Sequence, residues 1–284
     1  MIYLESFKLL DFFEEERTTD MPTVYPFGLF SEKGLLELSL LPITILYGNN
    51  GSGKSTLLNI IGEKIKCSRK TEFYSDEHFR KYVHNCDFKM ALDEDNNFLD
   101  LPKNCKLITS EDIMSFILDI RKENIRVDQK RKELSELYFS TKYNNFKYRN
   151  LSDYDELSLK SEVLRKTQTS FIRSRVNNIK QFSNGENVLR YFDSELENDG
   201  LYLLDEPENS LSPEFQIELV KLIQECSRYC GCQFIISTHS PFILSLNNAK
   251  IYNLDINPVS VDKWTDLKNV RFYFDFFKKY EDEF

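Results

Sequence analysis

The chain has 284 residues, 41% of them hydrophobic with 23 Phe and 15 Tyr, and 29% charged, enough to fill a large core. That composition excludes a disordered protein. The formal net charge of −9 argues against a dedicated non-specific DNA binder, because phosphate neutralisation needs clustered Lys and Arg.

No stretch reaches the roughly 18–20 apolar residues of a membrane span, since the best run, LLELSLLPITILYG, is broken by Glu37 and Pro42. The first residues, MIYLESFKLLDFFEEER, lack a basic segment and turn acidic, unlike a signal peptide. A cytoplasmic location and no membrane partner are therefore expected. The six cysteines include the cluster Cys226, Cys230 and Cys232, but without a second ligand pair at metal spacing they read as free thiols.

Residues 1–48 read as strands and turns. LLELSL (35–40) and ITILYG (43–48) are apolar and partly β-branched, with Pro42 between them. GNNGSGKST (48–56) follows, and Leu57, Leu58, Ile60 and Ile61 then recur at helical spacing. Residues 67–104 are irregular, aromatic and charged, and carry no clear assignment. CKLITSEDIMSFILDIRKE begins as a strand and becomes a helix, with Ser110 as N-cap and Glu111 and Asp112 in its first turn.

Residues 111–180 contain neither Pro nor Gly and are highly charged, which predicts a helical insertion over about 110–182. FSNGEN (182–187) looks like a turn in which Ser183 caps a helix. LYLLD (201–205) reads as a strand, and SPEFQIELVKLIQECSRY as a helix with Pro213 in its first turn. CQFIIST (232–238) and KIYNLD (250–255) read as strands around a short helix in PFILSL, and an amphipathic helix starts at about Asp266. Apolar strands alternating with helices predict an α/β fold with a parallel sheet core, antiparallel strands at the N-terminus and the helical insertion, in a single domain over 1–284.

Three motifs carry chemistry. Gly48, Asn49, Asn50, Gly51, Ser52, Gly53, Lys54, Ser55 and Thr56 fit G-x-x-x-x-G-K-[ST] between an apolar strand and a helix. Such a loop wraps successive N–H groups around a polyphosphate at a helix N-terminus. Lys54 is expected to reach the terminal phosphates and Ser55 to ligate Mg²⁺. In LYLLDEPEN, Asp205 is expected in the Mg²⁺ shell and Glu206 as the base for an attacking water. In IISTHSPF, the strand delivers Thr238, His239 and Ser240 to its carboxyl end, where ligands bind in such sheets.

In this order, with FSNGEN between the first two, the motifs resemble the ABC-type ATPases and cover the chain from Gly48 to His239. DEPENSLSPEF followed by THSPFIL is closer to the soluble RecF/RecN/SMC and OLD-nuclease branch, including small bacterial AAA family ATPases, than to transporters. The resemblance implies an ATPase that binds ATP and Mg²⁺ and dimerises head to tail. Ser183 and Gly185 would then contact the γ-phosphate held by the other subunit, Asn209 to Leu211 would cross that interface, and His239 would sense the γ-phosphate. An effector protein on another chain is implied, because no separate nuclease or transmembrane domain is expected, and the service would be a partner protein or a DNA transaction such as repair or phage defence. The alternative is the nucleotide-binding subunit of an ABC transporter.

Two family positions have no obvious occupant. No Gln stands in the strand-to-helix turn ITSEDI, so Ser110, Glu111 or Asp112 are the stand-ins for the second Mg²⁺ contact. Tyr25, Phe27 and Phe30 are the candidates to stack on adenine. Finally, Arg165, Lys166, Arg173, Arg175 and Lys180 form an acid-free run leading into Ser183. It reads either as a solvated helix face or as a basic surface for DNA or for phosphate charge at the dimer interface.

Overall fold

The computed structural model describes residues 1–19, 24–144, 154–176 and 183–283. It divides into two compact units, residues 1–114 with 184–284, and residues 115–183.

In the first unit, β1 (Leu4–Lys8) pairs antiparallel with β2 (Glu37–Ser39) and, later, with β4 (Asp87–Met90). Between β1 and β2 lies α1 (Phe12–Thr18), where the sequence reading had only strands and turns. Asp11 caps it, accepting from the Glu14 N–H while Glu14 reaches back to the Asp11 N–H. β3 (Ile43–Tyr47) is buried along its whole length and leads through the glycine loop into α2 (Lys54–Lys64). The unassigned stretch after it contains α3 (Glu77–Asn85), capped by Asp76, before β4.

β5 (Asn104–Thr109) opens the second half of the parallel sheet and runs into α4 (Ser110–Tyr143). The cap of α4 is Thr109, one residue earlier than expected. Its hydroxyl accepts from the Asp112 N–H at 3.3 Å, and the Asp112 carboxylate accepts from the Thr109 N–H at 2.8 Å. The second unit comprises most of α4, α5 (Tyr154–Arg165) and α6 (Gln168–Arg173), packed around Tyr138, Val163 and Phe171.

The chain returns to the first unit with α7 (Asn184–Glu195), β6 (Gly200–Asp205), α8 (Pro213–Tyr229), β7 (Gln233–Thr238), α9 (Pro241–Leu244), β8 (Lys250–Asn253), β9 (Ser260–Val261) and α10 (Lys268–Lys279). The sheet order is β5-β6-β7-β3-β8-β9, parallel except for β9 at the edge. The runs ITILY, LYLLD and QFIIST are near-continuous apolar strands because helices cover both faces of such a sheet.

Buried Gln233 ties the two sheets together. Its carbonyl accepts the Tyr3 and Leu4 N–H groups, and its amide donates to the Leu4 and Leu41 carbonyls. A buried side-chain amide with all these partners costs little to bury and holds the start of β1 against the start of β7.

Candidate functional site

The parallel register aligns the carboxyl ends of four strands. Thr109 pairs with Asp205, Asp205 with Ser237, and Tyr47 with Thr238. The residues that follow these positions therefore converge above the sheet, at the end where α/β proteins bind ligands.

The loop from Gly48 to Gly53 depends on its glycines. A Cβ on Gly48 would lie 2.4 Å from Ser52 Oγ, so the loop closes on itself only with glycine there. Gly53 has φ +104° at the start of α2, a backbone that an L side chain rarely adopts. Lys54 is 4% exposed, and its ammonium donates to the Gly48 carbonyl (2.8 Å) and the Asn49 carbonyl (3.2 Å). It also lies 3.6 Å from Glu206 Oε1. Residues distant in the chain thus meet beside the loop: Ser55 Oγ donates to Asp205 Oδ1, 150 positions away, at 3.0 Å, and Ser237 Oγ donates to the same oxygen.

Burial pushes the Asp205 carboxyl above its usual range, while the Ser237 and Ser55 hydroxyls pull it back. Glu206 holds a left-handed backbone, φ +47°, which costs about 1–3 kcal/mol for a non-glycine residue. The strained turn is held by the Glu206 N–H, which donates to the Ser237 carbonyl (3.0 Å) and hydroxyl (3.2 Å). Asn209 donates to Glu206 Oε2 at 3.3 Å, which orients the carboxylate from the far side.

His239 stands between two carboxylates, its Nδ1 3.6 Å from Glu206 Oε1 and 3.7 Å from Glu208 Oε1. Glu208 was not singled out from sequence, yet it shapes this turn. One oxygen accepts from the Thr238 hydroxyl (2.5 Å), the His239 N–H (3.1 Å) and the Ser240 N–H (3.2 Å). Burial drives its carboxyl above the usual range.

Two further residues hold the glycine loop from outside. The Asp255 carboxylate accepts from the Asn49 N–H (2.7 Å) and side-chain amide (2.8 Å). The Lys33 ammonium donates to the Ser52 carbonyl (2.7 Å) and the Leu254 carbonyl (2.9 Å). Neither sits in a recognisable motif; both come from segments joined to the loop only by the sheet order.

The residues fit a nucleoside triphosphate with a divalent cation. The Ser52 hydroxyl is buried with no hydrogen-bond partner in the loop that would cradle phosphate, and the space around Gly51 is open. Ser55 and Asp205 supply the hard oxygen donors that Mg²⁺ takes.

Other expectations are corrected. Phe27 and Phe30 are 5% and 0% exposed core residues, and Phe30 supports Gly53 from beneath, so neither has a ring face free for adenine. Tyr25 is half exposed and donates to the Thr56 hydroxyl at 2.9 Å, which leaves it as the aromatic beside the loop. Asp112 is buried, with Oδ1 taken by the Thr71 N–H and hydroxyl and Oδ2 by Thr109, so it is a cap rather than a metal contact. Ser110 is half-buried and Glu111 exposed at the same turn.

Gly185 is buried in α7 against the Phe215 ring of α8, where a Cβ would fall 2.2 Å from Cδ2. The glycine therefore has a packing reason within its own chain. Ser183 immediately precedes α7.

In the second unit, Arg175 makes two bonds to Glu162 (3.0 and 2.7 Å) and covers the Phe171 ring at 4.0 Å. Lys166 also donates to Glu162, at 2.8 Å. With both cations beside it, Arg175 first, the Glu162 carboxyl is held down at about 2. Arg175 and Lys166 thus serve that unit's own structure, while Arg165 and Arg173 are exposed and Lys180 lies outside the described residues.

No curated protein matches the chain. Among solved structures it is similar to an SMC head domain with an extended coiled coil, bound to the C-terminal domain of ScpA, from Pyrococcus furiosus (13% identity, 99% of this chain and 100% of that one, TM-score 0.41). It is similar to an SMC head bound to the C-winged helix domain of ScpA (15% identity, 92% and 98% covered, TM-score 0.42). It is also similar to an ATP-binding cassette in a dimeric post-hydrolysis state bound to ADP and Pi (15% identity, 81% and 90% covered, TM-score 0.36). The family model described as "AAA domain, putative AbiEii toxin, Type IV TA system" matches residues 92–245, a stretch that holds Asp205, Glu206 and His239. That match spans more than half of the chain, and the chain belongs to this family of P-loop AAA domains, as the order of its motifs implied.

Proposed function

We propose that the protein binds and hydrolyses ATP with Mg²⁺, and that ATP drives two copies together in the service of a partner protein or a DNA transaction such as repair or phage defence. The observation that carries this reading is the convergence of Lys54, Ser55, Asp205 and Glu206 within 3.0–3.6 Å contacts at one end of the parallel sheet.

In this reading the loop N–H groups and the α2 N-terminus receive the polyphosphate. Lys54, already centred in the loop, meets the terminal phosphates by exchanging its bonds to backbone carbonyls for bonds to phosphate oxygens. Ser55 and Asp205 hold Mg²⁺, which when bound neutralises charge developing on the phosphate oxygens. Glu206 takes a proton from the attacking water at its carboxylate, and Asn209 and the strained turn keep that carboxylate aimed. His239 senses the terminal phosphate from the neighbouring strand, held in place by Glu208. Ser183 and Gly185 complete the site of the second copy, and Tyr25 stacks on the base. An exposed contribution from Arg165 and Arg173 to DNA contact belongs to the same proposal.

Glu206→Gln tests it. The variant should bind ATP, fail to hydrolyse it and double the mass measured by light scattering relative to its nucleotide-free state. An unchanged mass at saturating ATP contradicts ATP-driven assembly.

A further inference from the structure

Glu15 in α1 is a buried acid that the nucleotide site leaves unused. It is 2% exposed, and among the described residues no cation lies against its carboxylate. Burial pushes its carboxyl above the usual range, while the Ser31 hydroxyl and the Gly28 N–H pull it back. A buried acid without a counter-ion is costly. Its one bonded oxygen, Oε2, accepts from both the Gly28 N–H (2.9 Å) and the Ser31 hydroxyl (2.7 Å).

Those two bonds anchor a run of turns over residues 26–34. Within it the Glu32 N–H donates to the Gly28 carbonyl, and the Gly34 N–H donates to the Ser31 carbonyl. Lys33 stands between these closures, and its ammonium reaches the Ser52 carbonyl of the glycine loop.

The effect of that bond follows from peptide planarity. In a trans peptide the C=O and the N–H point in opposite directions. The Gly48–Asn49 peptide displays this: Asp255 holds the Asn49 N–H outside the loop, and the Gly48 carbonyl faces inward onto the Lys54 ammonium. The Ser52–Gly53 peptide is reversed. Its carbonyl is drawn outward to Lys33, so the Gly53 N–H faces the interior. That N–H donates to no group among the described residues, and it stands at the start of α2, where N–H groups receive anions.

We infer that Glu15 is a positioning residue for phosphate: through the turns over 26–34 it seats Lys33, and Lys33 sets the polarity of the Ser52–Gly53 peptide. The inference rests on the nucleotide reading proposed above.

Titration calorimetry of the full chain with MgATP and, separately, with inorganic tripolyphosphate tests it. Lys33→Met keeps the stem and removes the donor, so both ligands should bind at least about tenfold more weakly, the scale of a charged hydrogen bond. Glu15→Leu keeps the bulk and removes the acceptor, and should weaken both by at least about fivefold. The double variant should lie within about twofold of Lys33→Met, because the two residues act in series. Glu15→Gln, whose amide oxygen still accepts, should lie within about twofold of wild type. The number of sites per chain should stay that of wild type throughout. Fewer sites at unchanged affinity in Glu15→Leu would mark a merely structural role and overturn the inference. Full affinity in Glu15→Leu or additive losses in the double variant would also overturn it. So would a loss for MgATP but not for tripolyphosphate, which would place the effect at Tyr25 and the base. A wild type that binds neither ligand would overturn the nucleotide reading as well, which separates the two failures.

Discussion

Gly185→Ala tests what the FSNGEN glycine does for the fold. The added Cβ would lie 2.2, 2.5 and 2.8 Å from three atoms of the Phe215 ring. Those are not the flexible end of a side chain: the ring sits in the first turn of α8 and must shift as a body, or α7 must move away from α8. Overpacking of this kind costs about 1–3 kcal/mol. Replacing Gly by Ala inside a helix returns about 0.5–1 kcal/mol, so at the middle of both ranges the net loss is about 1.3 kcal/mol. For a chain of this size, that lowers the melting temperature by about 2–6 °C. Thermal unfolding followed by circular dichroism measures it directly. Adding Phe215→Leu removes the ring and should restore at least half of the loss, because the two changes act on one contact. A melting temperature that stays level or rises in Gly185→Ala alone would refute the packing of α7 on α8 described here.

Other expected outcomes concern the supports of the site. Asp255→Ala removes both acceptors of Asn49; because the pair is exposed, the loss is about 1 kcal/mol, or about fivefold weaker ATP binding with turnover at saturating ATP unchanged. Asp255→Asn, whose single amide oxygen can accept from the Asn49 N–H but not also from the Asn49 amide, should fall between the two in a titration calorimeter; equal affinity in all three proteins would remove the brace. Glu208 has a folded pKa raised by burial, so the folded state holds its proton more tightly than the unfolded chain does. The stabilisation is full below the ordinary Glu value of about 4.3 and is lost as pH rises through the raised value. Glu208→Gln should therefore melt with a flatter pH profile than wild type above about pH 4.3, and parallel profiles would exclude the effect.

The sheet and the nucleotide motifs were legible because each rests on local signals. ITILY, LYLLD and QFIIST are apolar runs of strand length, and G-x-x-x-x-G-K-S carries its own turn chemistry. α1 was missed because its cap, Asp11, precedes two Phe residues that face outward instead of a periodic apolar face. α3 lay in a stretch whose aromatic residues look irregular until Phe79 and Tyr82 are seen packed in the core. Asp112 looked available because sequence cannot show that Thr71 and Thr109 occupy both of its oxygens. Asp255 and Lys33 were invisible for a related reason. They brace the loop across 206 and 19 positions, through a strand order in which β8 lies beside β3. Ser237 stands one residue before the quoted Thr238, yet only the register Asp205↔Ser237 turns it into a partner of the Asp205 carboxylate.

The central claim is that Gly48–Thr56 with Asp205 and Glu206 is an ATP site, and Lys54→Ala tests it most directly. Its ammonium is buried at the centre of the loop, so removing it leaves the terminal phosphates without their cation and the Gly48 and Asn49 carbonyls without their donor. Equilibrium binding of a fluorescent ATP analogue with Mg²⁺ should be readily measured for wild type and weakened at least about 100-fold in the variant, roughly the 3 kcal/mol of a charge-assisted contact. An affinity unchanged between the two proteins would contradict the site.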